Sequence, residues 1–273
     1  MQKVALFDYV LHLADNTLIL GQRNSEWCGH GPVLEQDIAI TNISLDLLGQ
    51  ARNFYQYAAS LYNSFSEGEK AAADNLIPLV WKTFRRTLNE DDLAFLREER
   101  QYLNLLITEL PNGDWAQTVL RQFFFSTFQW YLYTELKQLK DAQLSAIAEK
   151  SLKEVAYHVR WSSEWVIRLG DGTEESQQRI NNAVQVLWPF TGEPFLAAGY
   201  ELQAASEGYG VAVAALKNNW LQKVKKVFAE ATLPLPPQSW MQQGGKDGRH
   251  TEYFGYILTE MQYLQRAYPN MVW

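Results

Sequence analysis

The four histidines of this 273-residue chain are the first place to look for metal chemistry. A helix bundle binds two metal ions when two helices each supply a Glu-x-x-His pair and two others each supply a glutamate, because residues three apart share one helix face. The residues three positions before His12, His30, His158 and His250 are Tyr9, Trp27, Val155 and Asp247. The sequence therefore contains no Glu-x-x-His pair, and the Asp247 spacing falls in a glycine-rich loop.

His158 comes closest to such a site by its position in a helix. The apolar seam of residues 142–169 is centred near Val155, and at about 100° per residue His158 lies at the rim of that seam. Val155 occupies the position of an inward glutamate. Glu154 precedes His158 by four residues but points about 110° from the seam. The favoured interpretation is a histidine at the rim of the core or at an interface, and a metal site built on Glu154 and His158 is the alternative.

Other polar groups have simpler explanations. Asp8, His12 and Asp15 share a face of the first helix about 160° from its apolar seam, which predicts a polar stripe facing solvent or a partner. Residues 89–92 (NEDD) predict the cap of a helix that begins at Leu93, because acidic groups favour the positive helix end. Cys28 lacks the neighbours that would activate a nucleophile.

The loop 244–250 (GGKDGRH) is the strongest candidate for binding a ligand. Glycines, two cations and the start of a following helix can bind a phosphate or a carboxylate through backbone N–H groups. Lys246 and Arg249 are therefore candidate contacts for a phosphate or for coenzyme A. The loop matches neither a P-loop nor a dinucleotide-binding fingerprint. A turn that anchors the last helix is therefore the favoured interpretation, and a site for an anion is the alternative.

The spacing of apolar residues predicts helices through nearly the whole chain, and these helices position the polar side chains described above. Apolar residues recur every three or four positions in residues 3–22, 33–62 and 142–169, which predicts long helices packed at shallow angles in a bundle. Residues 115–139 are apolar on several sides, which predicts an interior helix. We predict one all-α domain over residues 1–273, with residues 232–249 as a connector before a C-terminal helix that starts near His250.

Composition narrows the class of protein further. The formal net charge is −7 without a basic cluster, which argues against nucleic acid as a partner. The N-terminus lacks a signal-peptide pattern and no long uncharged apolar window is seen, so no membrane is expected as a partner. A single cysteine excludes an intrachain disulfide and fits a reducing cytoplasm. The 10 Trp, 14 Tyr and 13 Phe predict a large core or a large surface buried against another protein.

Segments from the first predicted helix to the last resemble one family. They are residues 25–32 (SEWCGHGP), 43–53 (ISLDLLGQARN), 111–113 (PNG), 153–154 with 157–158, 244–246 with 250–252, and 260–266 (EMQYLQR). This pattern is similar to the PaaC-type subunits of bacterial phenylacetyl-CoA oxygenases (1,2-epoxidases). Residues 63–88 depart from the pattern and are predicted to be an added helical segment.

The resemblance implies an all-α, ferritin-like four-helix bundle core with additional helices. It implies a non-catalytic structural subunit of a multicomponent di-iron monooxygenase that uses O₂ and NADPH to epoxidise the ring of phenylacetyl-CoA in phenylacetate degradation. Such a chain binds no cofactor itself and stabilises a homologous, PaaA-type catalytic subunit. The di-iron centre, FAD and the iron–sulfur cluster are expected in partner subunits. The alternative is a free-standing ferritin-like oxygenase with a non-standard metal site.

The resemblance also assigns positions to the metal ligands of the catalytic relative. These positions hold aliphatic or hydroxyl side chains with one exception; they are Leu18, Leu48, Ala51, Ser126 or Thr127, Val155 and His158. Only His158 is a residue type that the catalytic relative uses as a ligand. We therefore expect no catalytic and no metal-binding residue in this chain.

Overall fold

The computed structural model describes residues 2–237 and 240–271, and these residues form helices and loops without a β-strand, which confirms the all-α prediction. The α-helices of the described ranges are α1 (Gln2–Ser25), α2 (Leu34–Asn63), α3 (Glu67–Ala73), α4 (Glu90–Phe95), α5 (Leu106–Glu109), α6 (Trp115–Leu136), α7 (Ala142–Gly170), α8 (Glu174–Leu187), α9 (Gly199–Glu207), α10 (Val213–Glu230) and α11 (Phe254–Ala267).

Four long helices form the central bundle. α1 packs along α2, and α6 packs along α7, each pair being joined by a short loop. Contacts between α2 and α7 bring the two pairs together. The crossover of residues 64–114 leads from the end of α2 to the start of α6. Two helical hairpins joined by one long crossover are the connectivity of ferritin-like bundles.

α1 lies in the interior and is covered on several sides. It contacts α2 on one side and α5, α9 and α11 on others. His12 and Asp15 are at most 1% exposed. The prediction of a solvent- or partner-facing stripe is therefore wrong for His12 and Asp15, because the crossover and the later helices pack over that face of α1. Asp8, the third member, is half-buried and lines a surface cavity. By length and hydropathy Lys3–Ser25 could cross a membrane, but 83% of its most apolar window is buried inside the described structure.

Side-chain caps start two of the long helices at the predicted places. Asp114 Oδ1 accepts a hydrogen bond from the Gln117 N–H at the start of α6, at 3.0 Å. Thr173 Oγ1 accepts one from the Ser176 N–H at the start of α8, at 3.2 Å. Each cap satisfies an N–H group that the helix leaves unpaired and contributes about 1 kcal/mol.

Two helix starts differ from the sequence prediction. Asn89 and Asp92 form a reciprocal capping box, so α4 begins at Glu90 rather than at Leu93. α11 begins four residues later than expected. The reason is that His250 and the N–H group of the next residue bind the buried carboxylate of Glu109 instead of entering the helix.

Residues 63–88 and 232–249 are the two segments that the sequence set apart. The first contains α3, which packs against α1, and short 3₁₀ turns at 74–76 and 81–83. That this segment is an addition relative to the family stays a prediction. The described part of the second runs without regular structure to a 3₁₀ turn at Gly245–Asp247, and residues 238–239 lie outside the described ranges.

Aromatic side chains fill much of the core around α6. Phe124 and Phe128 are 2% exposed, and the Trp220 ring lies 5.6 Å from that of Phe124. Phe195 contacts both Phe128 and Trp220. Trp220 Nε1 donates to the Phe124 carbonyl oxygen at 3.0 Å, so its polar atom is satisfied. The prediction of an interior helix at this place is confirmed.

Candidate functional site

The centre of the bundle is lined by aliphatic and hydroxyl side chains. Leu18, Ala51 and Val155 are at most 3% exposed. Ser126 donates to the carbonyl oxygen of its own helix four residues earlier, and its Oγ lies 3.5 Å from Ser162 Oγ. A di-iron site needs four carboxylates and two histidines at this level of the bundle. The residues present do not fit a pair of iron ions. Within residues 2–237 and 240–271, no three His, Cys, Asp or Glu side chains are arranged to hold a metal.

His158 is fully buried and hydrogen-bonded to the neighbouring helix. Its Nε2 lies 2.9 Å from Asp46 Oδ2 on α2, and its Nδ1 has no partner among the described residues. The side chain is 0% exposed, so His158 lies inside the fold, in the contact between α7 and α2. The helical angle relates His158 only to the apolar seam of its own helix, α7. It does not show that the neighbouring helix α2 covers the His158 side chain. An N–H group at Nε2 of the imidazole can donate to the Asp46 carboxylate.

Glu154 belongs to a second polar group one helical turn from His158. Its Oε2 accepts from Gln50 Nε2 at 2.8 Å, and Gln50 Oε1 accepts from Gln129 Nε2 at 2.9 Å. Burial raises the pKa of Glu154. Glu154 and His158 therefore bind different side chains of α2, four residues apart, and do not converge on one point. Their arrangement cross-links α2 and α7.

Asp15 forms a buried ion pair with Arg97 of the crossover. Both side chains are 0% exposed, and both guanidinium Nη atoms bind the carboxylate. Tyr55 donates to Asp15 Oδ1 at 2.5 Å, and burial raises the pKa of Tyr55 well above its usual value. The Leu103 N–H donates to Asp15 Oδ2 at 2.8 Å. The polar side of α1 therefore fixes the crossover to the bundle.

His12 and Lys246 both contact the buried carboxylate of Glu201. Lys246 Nζ donates to Glu201 Oε2 at 2.8 Å, and it also binds the carbonyl oxygens of Leu196 and Pro194. His12 Nε2 lies 3.6 Å from Glu201 Oε1, and burial lowers the pKa of His12. Lys246 is only 4% exposed, and all three of its donors have internal partners.

The glycine loop does bind a carboxylate, and that carboxylate belongs to the chain itself. The N–H groups of Gly244 and Gly245 both donate to Glu193 Oε1 at 2.8 Å. Gly244 has φ 141°, which favours glycine, and a Cβ on Gly245 would lie 2.1 Å from the Asn104 carbonyl oxygen. The interpretation of this loop as an anchor is the one that these contacts favour.

Arg249 is the exposed cation of the same loop. Among the described residues its guanidinium pairs with Asp247, at 3.4 Å, and its side chain is 72% exposed. It lines a surface cleft of about 500 Å³ together with Gln243 and Tyr253. Of the two predicted anion contacts, Arg249 is thus free to meet a ligand, whereas Lys246 is bound within the protein.

Asp8 is a carboxyl group on α1 for which the fold provides no hydrogen-bond partner at Oδ1 among the described residues. It lies in a surface cavity of about 320 Å³ beside Tyr200 and Gln203. Burial raises the pKa of Asp8 to about 7. The folded protein therefore favours the neutral carboxylic acid at this position.

We expect Asp8→Asn to stabilise the protein in a pH-dependent way. In the unfolded chain Asp8 ionises near pH 4, whereas in the folded chain it does so near pH 7, so wild-type stability falls as the pH rises between these values. The variant lacks this titration. Its melting temperature should match that of the wild type at low pH and exceed it by about 5–10 °C at pH 8. Thermal melts at both pH values test this, with exposed Asp171→Asn as control, and an equal offset at both would contradict it.

The buried acids that organise these clusters carry no local sequence signal. Glu109, Glu193 and Glu201 are each at most 2% exposed and bind groups more than 40 residues away in sequence. Arg97 reaches Asp15 over a similar distance along the chain. Only a three-dimensional arrangement brings such partners together.

The all-helical structure and the connectivity of its long helices define a ferritin-like helical protein. The family model described as "Phenylacetic acid catabolic protein" matches residues 1–273, and the chain belongs to this family. It is similar to a protein of Escherichia coli (strain K12) that is named as one of the subunits of 1,2-phenylacetyl-CoA epoxidase. The two are 44% identical over 265 residues, which cover 97% of this chain and 98% of that relative. The resemblance seen in the sequence is confirmed.

Proposed function

We propose that this chain is the non-catalytic structural subunit of a multicomponent di-iron monooxygenase that epoxidises the ring of phenylacetyl-CoA. The observation that carries the proposal is the burial of Leu18, Ala51, Val155 and Ser126, which the sequence resemblance places at the metal-ligand positions of a catalytic relative. The name of the Escherichia coli relative, which makes it a subunit of 1,2-phenylacetyl-CoA epoxidase, supports the reaction and the membership of a complex.

Aliphatic residues at these positions have a physical advantage in a subunit that binds no metal. A cluster of buried carboxylates without ions would be strongly destabilising, because desolvation penalises each charge and the charges repel one another. In this proposal the di-iron centre belongs to a homologous PaaA-type catalytic subunit. FAD and the iron–sulfur cluster belong to further partners. This chain contributes a stable bundle against which the catalytic subunit packs.

Exposed apolar side chains support a subunit role. Leu34, Ile38 and Leu45 lie on one face of α2 and are 71%, 51% and 61% exposed. Tyr256 and Tyr263 on one face of α11 are exposed to a similar degree. Apolar groups that share a face outside the core are typical of surfaces that another protein covers.

The proposal includes a cytoplasmic location. Cys28 is a free and exposed thiol, which a reducing compartment preserves.

We extend the proposal to one ligand contact, between Arg249 and a phosphate group of the acyl-CoA substrate, because its guanidinium is exposed beside an open cleft. Lys246, the other predicted contact, is assigned to the internal ion pair with Glu201.

Co-expression with a tagged PaaA-type subunit tests the proposed assembly. We expect the untagged chain to co-purify in a fixed ratio and the catalytic subunit to lose solubility or turnover without it. Leu45→Asp and Ile38→Asp then report whether the apolar face of α2 takes part. A catalytic subunit that is fully soluble and active alone would contradict a stabilising role.

Replacing His158 and Glu154 by glutamine is expected to leave turnover of the assembled complex within a few-fold of the wild type. Both side chains bind α2 residues, and glutamine keeps a hydrogen-bonding group at each position. Turnover is measured after gel filtration has shown normal assembly. A loss of several orders of magnitude in a correctly assembled complex would make this chain catalytic.

A further inference from the structure

The outer face of the bundle carries a groove that none of the clusters above uses. It lies where α6, α7 and α10 meet and has a volume of about 500 Å³, which is in the range of small-molecule sites. Its apolar lining includes two aromatic rings on α6 and aliphatic side chains on the other two helices; these are Trp130, Tyr131, Val159, Ile167 and Val227. The groove can therefore take a flat apolar group.

Thr127 lines this groove and carries a buried polar atom that has no partner among the described residues. The side chain is 1% exposed and lines the groove, yet its Oγ1 has no hydrogen-bond partner among the described residues. Neighbouring hydroxyls are satisfied: Ser126 donates to the Gln122 carbonyl oxygen at 2.7 Å, and Ser163 donates to that of Val159 at 2.6 Å. A buried hydroxyl without a partner is costly. A ligand oxygen in the groove would satisfy the Thr127 hydroxyl.

Charged side chains around the groove carry a small positive excess. Arg160, Lys223 and Lys226 line it, and so do Glu164 and Glu230, which leaves one net positive charge. In the described part of the chain none of these five forms an ion pair within 4.0 Å. A ligand with one negative charge is favoured, because the two glutamates would repel a ligand that carries several negative charges.

We propose that this groove binds an aromatic monocarboxylate. The ring packs against Trp130 and Tyr131, the carboxylate is attracted by the lysines of α10 and by Arg160, and the Thr127 hydroxyl donates to a ligand oxygen. The inference does not depend on the proposed function, because it rests on the groove of this chain alone. It concerns a free acid and not a coenzyme A ester, whose phosphates carry several charges.

Titration calorimetry of the purified full-length chain with phenylacetate tests the proposal. We expect saturable binding with a Kd of about 1 mM or lower, as suits a ligand with few heavy atoms. The neutral phenylacetamide should bind about tenfold more weakly, since it lacks the charge. Absence of saturation with phenylacetate up to about 10 mM, or equal affinity for the amide, would overturn the proposal.

Matched variants locate the binding. Lys223→Met removes a cation from the groove, whereas Lys225→Met removes an exposed cation of the same helix that does not line it. We expect several-fold weaker binding for the first variant and no change for the second. Thr127→Val keeps the shape, so the fold is retained, and it should weaken binding about five- to tenfold. Equal effects of both lysine variants would place the ligand elsewhere.

Discussion

Replacing Arg97 by methionine is expected to lower the free energy of unfolding by about 3–5 kcal/mol. Arg97 is fully buried, and it binds Asp15 and the carbonyl oxygens of Leu93 and Gln101. Methionine fills part of the space but leaves the Asp15 carboxylate buried without its counter-charge. Urea denaturation followed by circular dichroism measures the loss.

The control for Arg97 is an arginine whose ion pair lies at the surface. Arg179→Met removes a guanidinium that is 53% exposed and paired with Glu175, and it should cost less than about 1 kcal/mol. The double variant with Asp15→Asn should lose less than the sum of the single losses, because the two charges interact. A loss below about 1 kcal/mol for Arg97→Met would mean that the pair does not hold the crossover to α1.

Lys246→Met is the second variant with a large expected effect. The substitution leaves Glu201 buried without its cation, and it frees the carbonyl oxygens of Leu196 and Pro194 from their partner. A loss of about 3–5 kcal/mol in the free energy of unfolding follows from breaking a buried pair on one side. Because the pair ties the glycine loop to α9, protection of the loop amides against hydrogen exchange should fall with it.

Arg249→Met is the matched control, since it removes an exposed cation of the same loop. We expect its stability to lie within about 0.5 kcal/mol of the wild type. In the assembled complex it should raise the KM for the acyl-CoA substrate without weakening subunit association. An unchanged KM would contradict the proposed contact between Arg249 and a phosphate of the substrate. A stability loss like that of Lys246→Met would contradict the view that Lys246, and not Arg249, anchors the loop.

The helices were predictable because their signals are local. The apolar seam of residues 142–169 gave α7 nearly to the residue, and Asp114 and Thr173 mark helix starts through bonds to N–H groups three residues on. The sequence contains no Glu-x-x-His pair, and a search for that pair needs only local spacing; that the chain binds no metal stays a prediction. The added status of residues 63–88 stays a prediction.

The burial of polar side chains could not be predicted in the same way. The helical angle relates Asp15 or His158 only to the apolar seam of its own helix. It does not show that other parts of the chain cover the polar face of that helix. α1 is enclosed by the crossover and by α9 as well as by α2. The partners that made burial possible, Arg97 for Asp15 and Lys246 for Glu201, lie 82 and 45 residues away in sequence.

Iron content tests the non-catalytic assignment most directly. The chain is expressed alone in iron-replete medium, purified without chelators and analysed by plasma emission spectrometry, with the PaaA-type subunit prepared in parallel as the control that must bind iron. We predict iron near zero per chain, because the bundle centre offers aliphatic and hydroxyl groups where carboxylates are needed. About two iron ions per chain would contradict the proposal and make the chain an oxygenase in its own right.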